Sequence, residues 1–154
     1  FSSKIYNTPT RMVAKKGSPL LPTAASLKGK RVGVQQGTIQ ETYAKTYWAP
    51  KGVTVVPYPV QDLIYQDMMS GRLDATLQDA IMVDGAFLKQ PKGKNFSFAG
   101  GNVVDAKTLG VGAAIGLRKE DADLKANINK ALAAIIADGT YKKLEKKYFS
   151  FSIY

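Results

Sequence analysis

Arg31-Val32-Gly33-Val34-Gln35-Gln36-Gly37-Thr38-Ile39-Gln40 decides the fold, because a strand pattern gives way to a helix pattern inside it. Arg31 to Gln35 follows the turn-like Lys28-Gly29-Lys30 and reads as a short buried strand. Gly37 and Thr38 then open a helix that runs to about Tyr47, with Thr38 as its cap and Glu41 three residues on. Pro50-Lys51-Gly52 stops that helix.

Outward from this stretch the alternation repeats. Val53-Thr54-Val55-Val56 is rich in β-branched residues and reads as a second strand. A helix from about Val60 to Ser70 follows, with Leu63, Ile64, Met68 and Met69 on its inner side and Gly71 at its end. Leu73 to Leu77 is a third strand, and another helix runs from Asp79 to Leu88 before Pro91. Strand-helix alternation predicts an α/β fold with parallel βαβ units in an open sheet.

The texture changes after Gly100-Gly101. Leu109 to Leu117, rich in glycine, reads as a long strand that admits close backbone approach. Two helices finish the chain. The first places Leu124, Ile128, Leu132, Ile135 and Ile136 on one face. Gly139 ends it, and Thr140 to Tyr148 forms a short basic helix. The sheet of Arg31 to Leu77 already has its own helices, so Leu109 onward is expected to belong partly to a second body.

Composition narrows the function. The 154 residues are 45% hydrophobic, enough for a real core, and 22% charged, too balanced for disorder. The longest apolar stretch, Ala131 to Ala137, is far short of the roughly 20 residues that cross a bilayer. With no Cys and no His, thiol and imidazole chemistry and the usual zinc ligands are absent, and the Ser-His-Asp triad is unavailable. Nothing supplies a second acid paired with Asp79. No catalytic residue, metal ligand or cofactor is expected, and the chain reads as a binding protein rather than an enzyme. The net charge of +10 is spread along the chain, densest at Lys28-Lys30 and Lys142-Lys147, without an aromatic-interleaved RNA motif or a helix-turn-helix. It reads as a solvated basic surface, not a nucleic-acid site. The start at Phe1, without Met, suggests a processed, trimmed or split product.

Two stretches can carry a ligand. In Gln35-Gln36-Gly37-Thr38-Ile39-Gln40 the helix start offers free N–H groups and a positive dipole end to a carboxylate, at the carboxyl end of a strand. Gly37 lets the backbone approach closely, and Thr38 adds a hydroxyl donor. The Gly-Lys-Ser/Thr ending of a phosphate loop is missing. In Leu73-Asp74-Ala75-Thr76-Leu77-Gln78-Asp79, Asp79 reaches the same crevice edge and can hold an ammonium group. Both have a plainer reading: the first as a capped strand-helix turn, Asp79 as the N-cap of the next helix. Asp74 is expected to serve a turn or a bond between elements.

Lys28 to Thr42, Gly71 to Asp79, Gly116 to Asp121 and Ala137 to Leu144 stand in an order and spacing that resembles the periplasmic solute-binding proteins for polar amino acids, in particular the lysine/arginine/ornithine and histidine binders. The resemblance extends from Phe1 to Phe149. It implies a type II periplasmic-binding-protein fold of two α/β lobes joined by two strands and closing on an amino acid. Residues 1–11 would end the first lobe and supply a hinge strand, 12–102 would form the second lobe with a mainly parallel sheet, 103–109 the second hinge strand, and 110–154 the returning part of the first lobe. It further implies that Asp79 binds the ligand's α-ammonium, that Thr38 and the Ile39 N–H bind its α-carboxylate, and that Gln40 and Gln35 sit beside its side chain, next to Gly37.

The resemblance also implies a periplasmic, secreted or lipid-anchored location, a membrane permease of an ABC transporter as partner, and capture of arginine, lysine, ornithine or histidine. Two positions depart from the family pattern. Ile39 stands where a small or hydroxylated residue is common, and Gln35 stands where the basic amino-acid binders often carry an apolar one. These leave room for an opine or another amino acid. The first-lobe wall would lie before Phe1, so the chain is expected to carry one wall of the site and to pair with a complementary amino-terminal lobe or an exchanged copy of itself. A ligand-sensing receptor or regulatory module of the same fold is the rival reading.

Overall fold

A computed structural model describes all residues from Phe1 to Tyr154. The chain divides into two compact units, Pro9–Gly110 and a second made of Phe1–Thr8 with Val111–Tyr154. In chain order the elements are β1 (Lys4–Tyr6), β2 (Thr10–Lys15), α1 (Ala24–Leu27), β3 (Arg31–Gln35), α2 (Ile39–Tyr47), β4 (Thr54–Tyr58), α3 (Gln61–Met69), β5 (Ala75–Asp79), α4 (Ala80–Val83), β6 (Phe96–Val103), β7 (Ala113–Ala114), α5 (Ala122–Ala137) and α6 (Thr140–Tyr148). A wider helical turn, Asp84–Leu88, prolongs α4.

The Pro9–Gly110 unit is an α/β sandwich on a five-stranded sheet of order β4-β3-β5-β2-β6. The three strands between Lys30 and Asp79 run parallel, as their helical crossovers require. β2 then lies antiparallel to β5 and to β6, which makes the whole sheet mixed. Apolar residues on both faces give two cores. On one face Met12, Val32, Val34 and Leu77 pack with Leu27, Ala44 and Trp48. On the other Val13 packs with Ile64, Tyr65, Met68, Val83 and Phe87. Alternation along β2 sends Met12 and Val13 to opposite cores, as the period of a strand dictates. Asp74 bonds between elements as expected: its carboxylate accepts from the Arg31 N–H at 2.8 Å.

Gly33 shows why this sheet needs a glycine inside a strand. A Cβ there would meet Leu73 Cδ1 at 2.6 Å and Ile64 Cγ2 at 3.2 Å, so α3 can lie close to β3 only over a bare backbone.

Three expectations need correction. The long strand at Leu109 to Leu117 is only β7, two residues paired with β1. Its glycines explain the loss: Gly110 and Gly112 have φ of 73° and 127°, outside the strand region. The stretch 103–109 is not a strand beyond Val103. Asp105 folds it into a turn, accepting from the Thr108 N–H at 2.8 Å and the Thr108 hydroxyl at 2.6 Å, while Leu109 N–H donates to the Asp105 carbonyl. The hinge strand expected within 1–11 reduces, after β1, to Thr10 and Arg11, the first two residues of β2.

The second unit consists of the β1–β7 pair with α5 and α6. None of its residues is buried. The α5 stripe exists, yet Leu124 is 50% exposed and Ile136 36%.

Candidate functional site

β3 and β5 are parallel neighbours, level at Val32 with Ala75 and at Gly33 with Thr76. Two residues past Gly33 the chain leaves β3 at Gln35, and three past Thr76 it leaves β5 at Asp79. The helix starts that follow, α2 and α4, therefore open side by side. Gln35, Thr38, Gln40 and Asp79 line one cleft of about 240 Å³, together with Gln61, Leu77, Gln78 and Met82. Gly37 and Ile39 flank it in sequence, and Ile39 is about half exposed.

Gly37 has φ +77°, the left-handed region that glycine alone enters without strain. Nothing lies within 4 Å of the place its Cβ would take, so backbone conformation, not crowding, demands glycine here. Gly37 N–H donates to the Glu41 carboxylate at 2.7 Å, and Glu41 N–H donates to the Thr38 hydroxyl at 3.2 Å. The N–H groups of Thr38, Ile39 and Gln40 have no acceptor within the protein. They are the free donors that a helix start leaves over.

The Thr38 hydroxyl caps α2, as the sequence leads one to expect, and its own proton is spent inside the turn. It gives its single proton to the Gln35 carbonyl at 2.7 Å while accepting from Glu41 N–H. In this structure it is a cap, and the donors left without an acceptor are the backbone N–H groups of Thr38, Ile39 and Gln40. Lys45 holds the Glu41 carboxyl below its usual range by a hydrogen bond of 2.6 Å, aided by the Gly37 N–H. Glu41 thus stays ionised and fixes the turn.

Of the two readings open for Asp79, the cap is realised through one oxygen only. Oδ1 caps α4, accepting from Ile81 N–H at 2.9 Å and Met82 N–H at 3.1 Å. Both bonds fall on that one oxygen, which leaves Oδ2 without a partner in the protein and available to a cation. Gln40 is buried and tied down: its Nε2 donates to Thr10 Oγ1 at 3.0 Å. Thr10 is level with Asp79 across the β2–β5 ladder, so Gln40 belongs to the floor of the cleft.

Two residues escaped the sequence reading. Gln78 is only 2% exposed and forms a polar floor with Thr76 and Tyr65. Gln61, the first residue of α3, enters from the neighbouring strand end. Its place at a helix start after β4, the same position that Ile39 takes after β3, was the available signal.

A larger depression of about 480 Å³ lies at the opposite end of β2, around Lys15, Lys16 and Lys30. Its one carboxylate, Asp74, accepts from the Arg31 N–H through Oδ2, and no run of unbonded N–H groups stands beside it. An apolar groove of about 310 Å³ in the second unit, among Ile5, Ile135, Tyr141 and Leu144, offers Glu145 as its one charged group. Only the smaller cleft sets an available carboxylate oxygen beside a row of unbonded N–H groups.

Bacterial extracellular solute-binding proteins, family 3, match residues 1–151. The chain is 55% identical over its full 154 residues to the lysine/arginine/ornithine-binding periplasmic protein of Escherichia coli (strain K12), of which it covers 59%. It is 53% identical, with the same coverage, to the histidine-binding periplasmic protein of Salmonella typhimurium. Among solved structures, an ancestral arginine-binding protein bound to arginine superposes with a TM-score of 0.72 at 33% identity, over 97% of this chain and 64% of that one. An ancestral arginine-binding protein bound to glutamine gives 0.71 at 33% identity, over 98% of this chain and 64% of that one. The chain thus spans about three fifths of the length of these relatives.

Proposed function

Since the chain belongs to family 3 of the bacterial extracellular solute-binding proteins, we propose that it carries one wall of an amino-acid site in the binding component of an ABC transporter. In this reading Pro9–Gly110 is the second lobe, and Phe1–Thr8 with Val111–Tyr154 belongs to the first. The ligand is a basic or polar α-amino acid. The protein works outside the cytoplasmic membrane, in the periplasm, and hands its ligand to a membrane permease. The relatives named for lysine, arginine, ornithine and histidine support this class.

One observation carries the reading. An α-amino acid is a zwitterion, and the cleft offers complementary groups from adjacent strand ends. Asp79 Oδ2 would take the α-ammonium, and the Thr38, Ile39 and Gln40 N–H groups the α-carboxylate. Gln35 would sit beside the side chain. No step of bond making or breaking is needed, and the cleft offers no paired acid and no activated nucleophile.

The test is Asp79→Asn in the full-length protein, read by titration calorimetry. Leaving a desolvated ammonium poorly paired costs about 2 to 5 kcal/mol, more than tenfold in affinity. Asp84 ion-pairs with Lys89 at 2.9 Å and does not line the cleft, so Asp84→Asn is the control and changes little. Unchanged affinity in Asp79→Asn, with the fold intact, leaves Asp79 as a cap only. The apolar stripe of α5 would be covered by the rest of the first lobe or by an exchanged copy. Native mass spectrometry that finds a bare monomer of this chain, with no partner, counts against that cover.

A further inference from the structure

Beneath the cleft a chain of hydrogen bonds runs from the backbone to Gln61. The Thr76 hydroxyl donates to the Gly33 carbonyl at 2.8 Å. Gln78 Nε2 donates to Thr76 Oγ1 at 2.9 Å, and the Tyr65 hydroxyl donates to Gln78 Oε1 at 3.1 Å. The same Tyr65 hydroxyl lies 2.9 Å from the atom placed as Gln61 Oε1. Thr76, Gln78 and Tyr65 are all essentially buried, so water does not supply alternative partners.

The direction of every bond in this chain follows from its first member. A carbonyl only accepts, so Thr76 spends its one proton on Gly33. Thr76 Oγ1 must then accept from Gln78, which fixes Nε2 on that side and Oε1 toward Tyr65. Oε1 only accepts, so the single Tyr65 proton goes to Gln78. Burial, aided by the charge of Asp62, pushes Tyr65 up to about 12, so that proton stays in place at neutral pH. The Tyr65 oxygen then has only lone pairs left for Gln61. The group of Gln61 that meets it must be the Nε2 donor, because two acceptors at 2.9 Å would repel. The two ends of a glutamine amide are nearly the same size and are assigned by their partners.

We infer that Gln61 turns its carbonyl oxygen to the cleft, held there through Tyr65, Gln78 and Thr76, and that it reads a hydrogen-bond donor at the end of the ligand side chain. This rests on the amino-acid site proposed above and adds a specificity-determining residue to it. An ammonium, guanidinium or amide N–H is favoured at that point. A side chain ending in a methyl group leaves the oxygen unpaired. Tyr65, Gln78 and Thr76 act as positioning residues.

L-lysine and L-norleucine differ only by the terminal ammonium and make a clean pair of probes. Titration calorimetry on the full-length protein would use wild type, Gln61→Leu, Tyr65→Phe and Asp79→Asn. Losing a hydrogen bond to a charged group is expected to weaken L-lysine about tenfold in Gln61→Leu, with L-norleucine unchanged. Tyr65→Phe frees the amide to rotate and lowers the lysine-to-norleucine preference in the same direction, by less. If Gln61 instead faces the cleft with its NH2 group, Gln61→Leu strengthens L-lysine or leaves it alone, and the inference is overturned. A wild type that takes neither probe, or both equally, also overturns it. Asp79→Asn weakens both probes together; if it weakens neither, the head-group reading fails, whatever Gln61 does.

Discussion

The Pro9–Gly110 unit holds all the buried residues of the chain, and the unit of Phe1–Thr8 with Val111–Tyr154 holds none. Local signals do not explain the contrast. α5 is the longest helix in the protein, at 16 residues, and has a well-spaced apolar stripe. α2 and α3 are nine residues each and bury Ala44, Ile64, Tyr65 and Met68. What differs is the sheet beneath. Five strands give the first unit two apolar faces to cover. β1 and β7, three and two residues long, offer α5 and α6 no such face. Helical propensity makes a helix, but a second layer makes a core.

The largest effect that tests this contrast is hydrogen exchange on the whole chain. Amides of β3 and β5 should be protected to the level of global unfolding, and those of α5 and α6 should exchange by local opening, orders of magnitude faster. Equal protection of α5 and β3 would break the comparison. Single truncations sharpen it. Phe87 is fully buried and stacks on Tyr65 at 4.5 Å, with Phe96 tilted at 5.1 Å. Phe87→Ala should cost about 3 to 5 kcal/mol in urea unfolding. Leu132→Ala in α5, where nothing is buried, should stay within about 0.5 kcal/mol.

The same contrast separates what sequence could tell from what it could not. β3, β4 and β5 were legible because each is a β-branched or apolar run followed by a helix signal. β2 and β6 were not. Their pairing joins Met12 to Ala99 and Val13 to Phe98, far apart in the chain, and Gly100-Gly101 inside β6 reads as a loop. The strand-end positions of Thr38 and Asp79 were legible as helix starts. The occupation of the Thr38 hydroxyl was not, since it depends on the turn bringing Gln35 O within 2.7 Å. Nor was the place of Gln61 at the end of a hydrogen-bond chain through Tyr65, Gln78 and Thr76 to a carbonyl in another strand.

A smaller effect isolates the closeness of the layers. Gly33→Ala places a methyl group 2.6 Å from Leu73 Cδ1 under α3. Overpacking of this kind should cost about 1 to 3 kcal/mol. Gly85→Ala, with nothing within 4 Å and φ outside the left-handed region, should be neutral or slightly stabilising. Equal stability of the two variants in urea melts would mean that β3 and α3 are not held at this distance.

The smallest expected effect concerns acid. In the first unit the Tyr58 hydroxyl donates to Asp67 Oδ2 at 2.6 Å, and Arg72 Nε donates to Oδ1 at 2.7 Å. These bonds, the tyrosine's first, hold the Asp67 carboxyl below its usual range. Its folded pKa is thus lower than its unfolded one, so its contribution is present above the ordinary carboxylate range near pH 4 and fades as pH falls through the folded value. Glu41 and Asp105 are depressed in the same way, by Lys45 and Thr108 respectively. The second unit has one such group, Asp138, bonded to Thr140. Acid should therefore loosen the first unit mainly through these three carboxylates. Urea melts at pH 7 and about pH 3 should show wild type losing stability on acidification and Asp67→Asn losing less, because the variant has already given up the ionised partner. Asp67 lies at the surface end of its network, so the difference is modest and shrinks in salt. The two proteins should converge at the acid end and separate at neutral pH. An identical gap at both would show that Asp67 acts through shape and not through its charge.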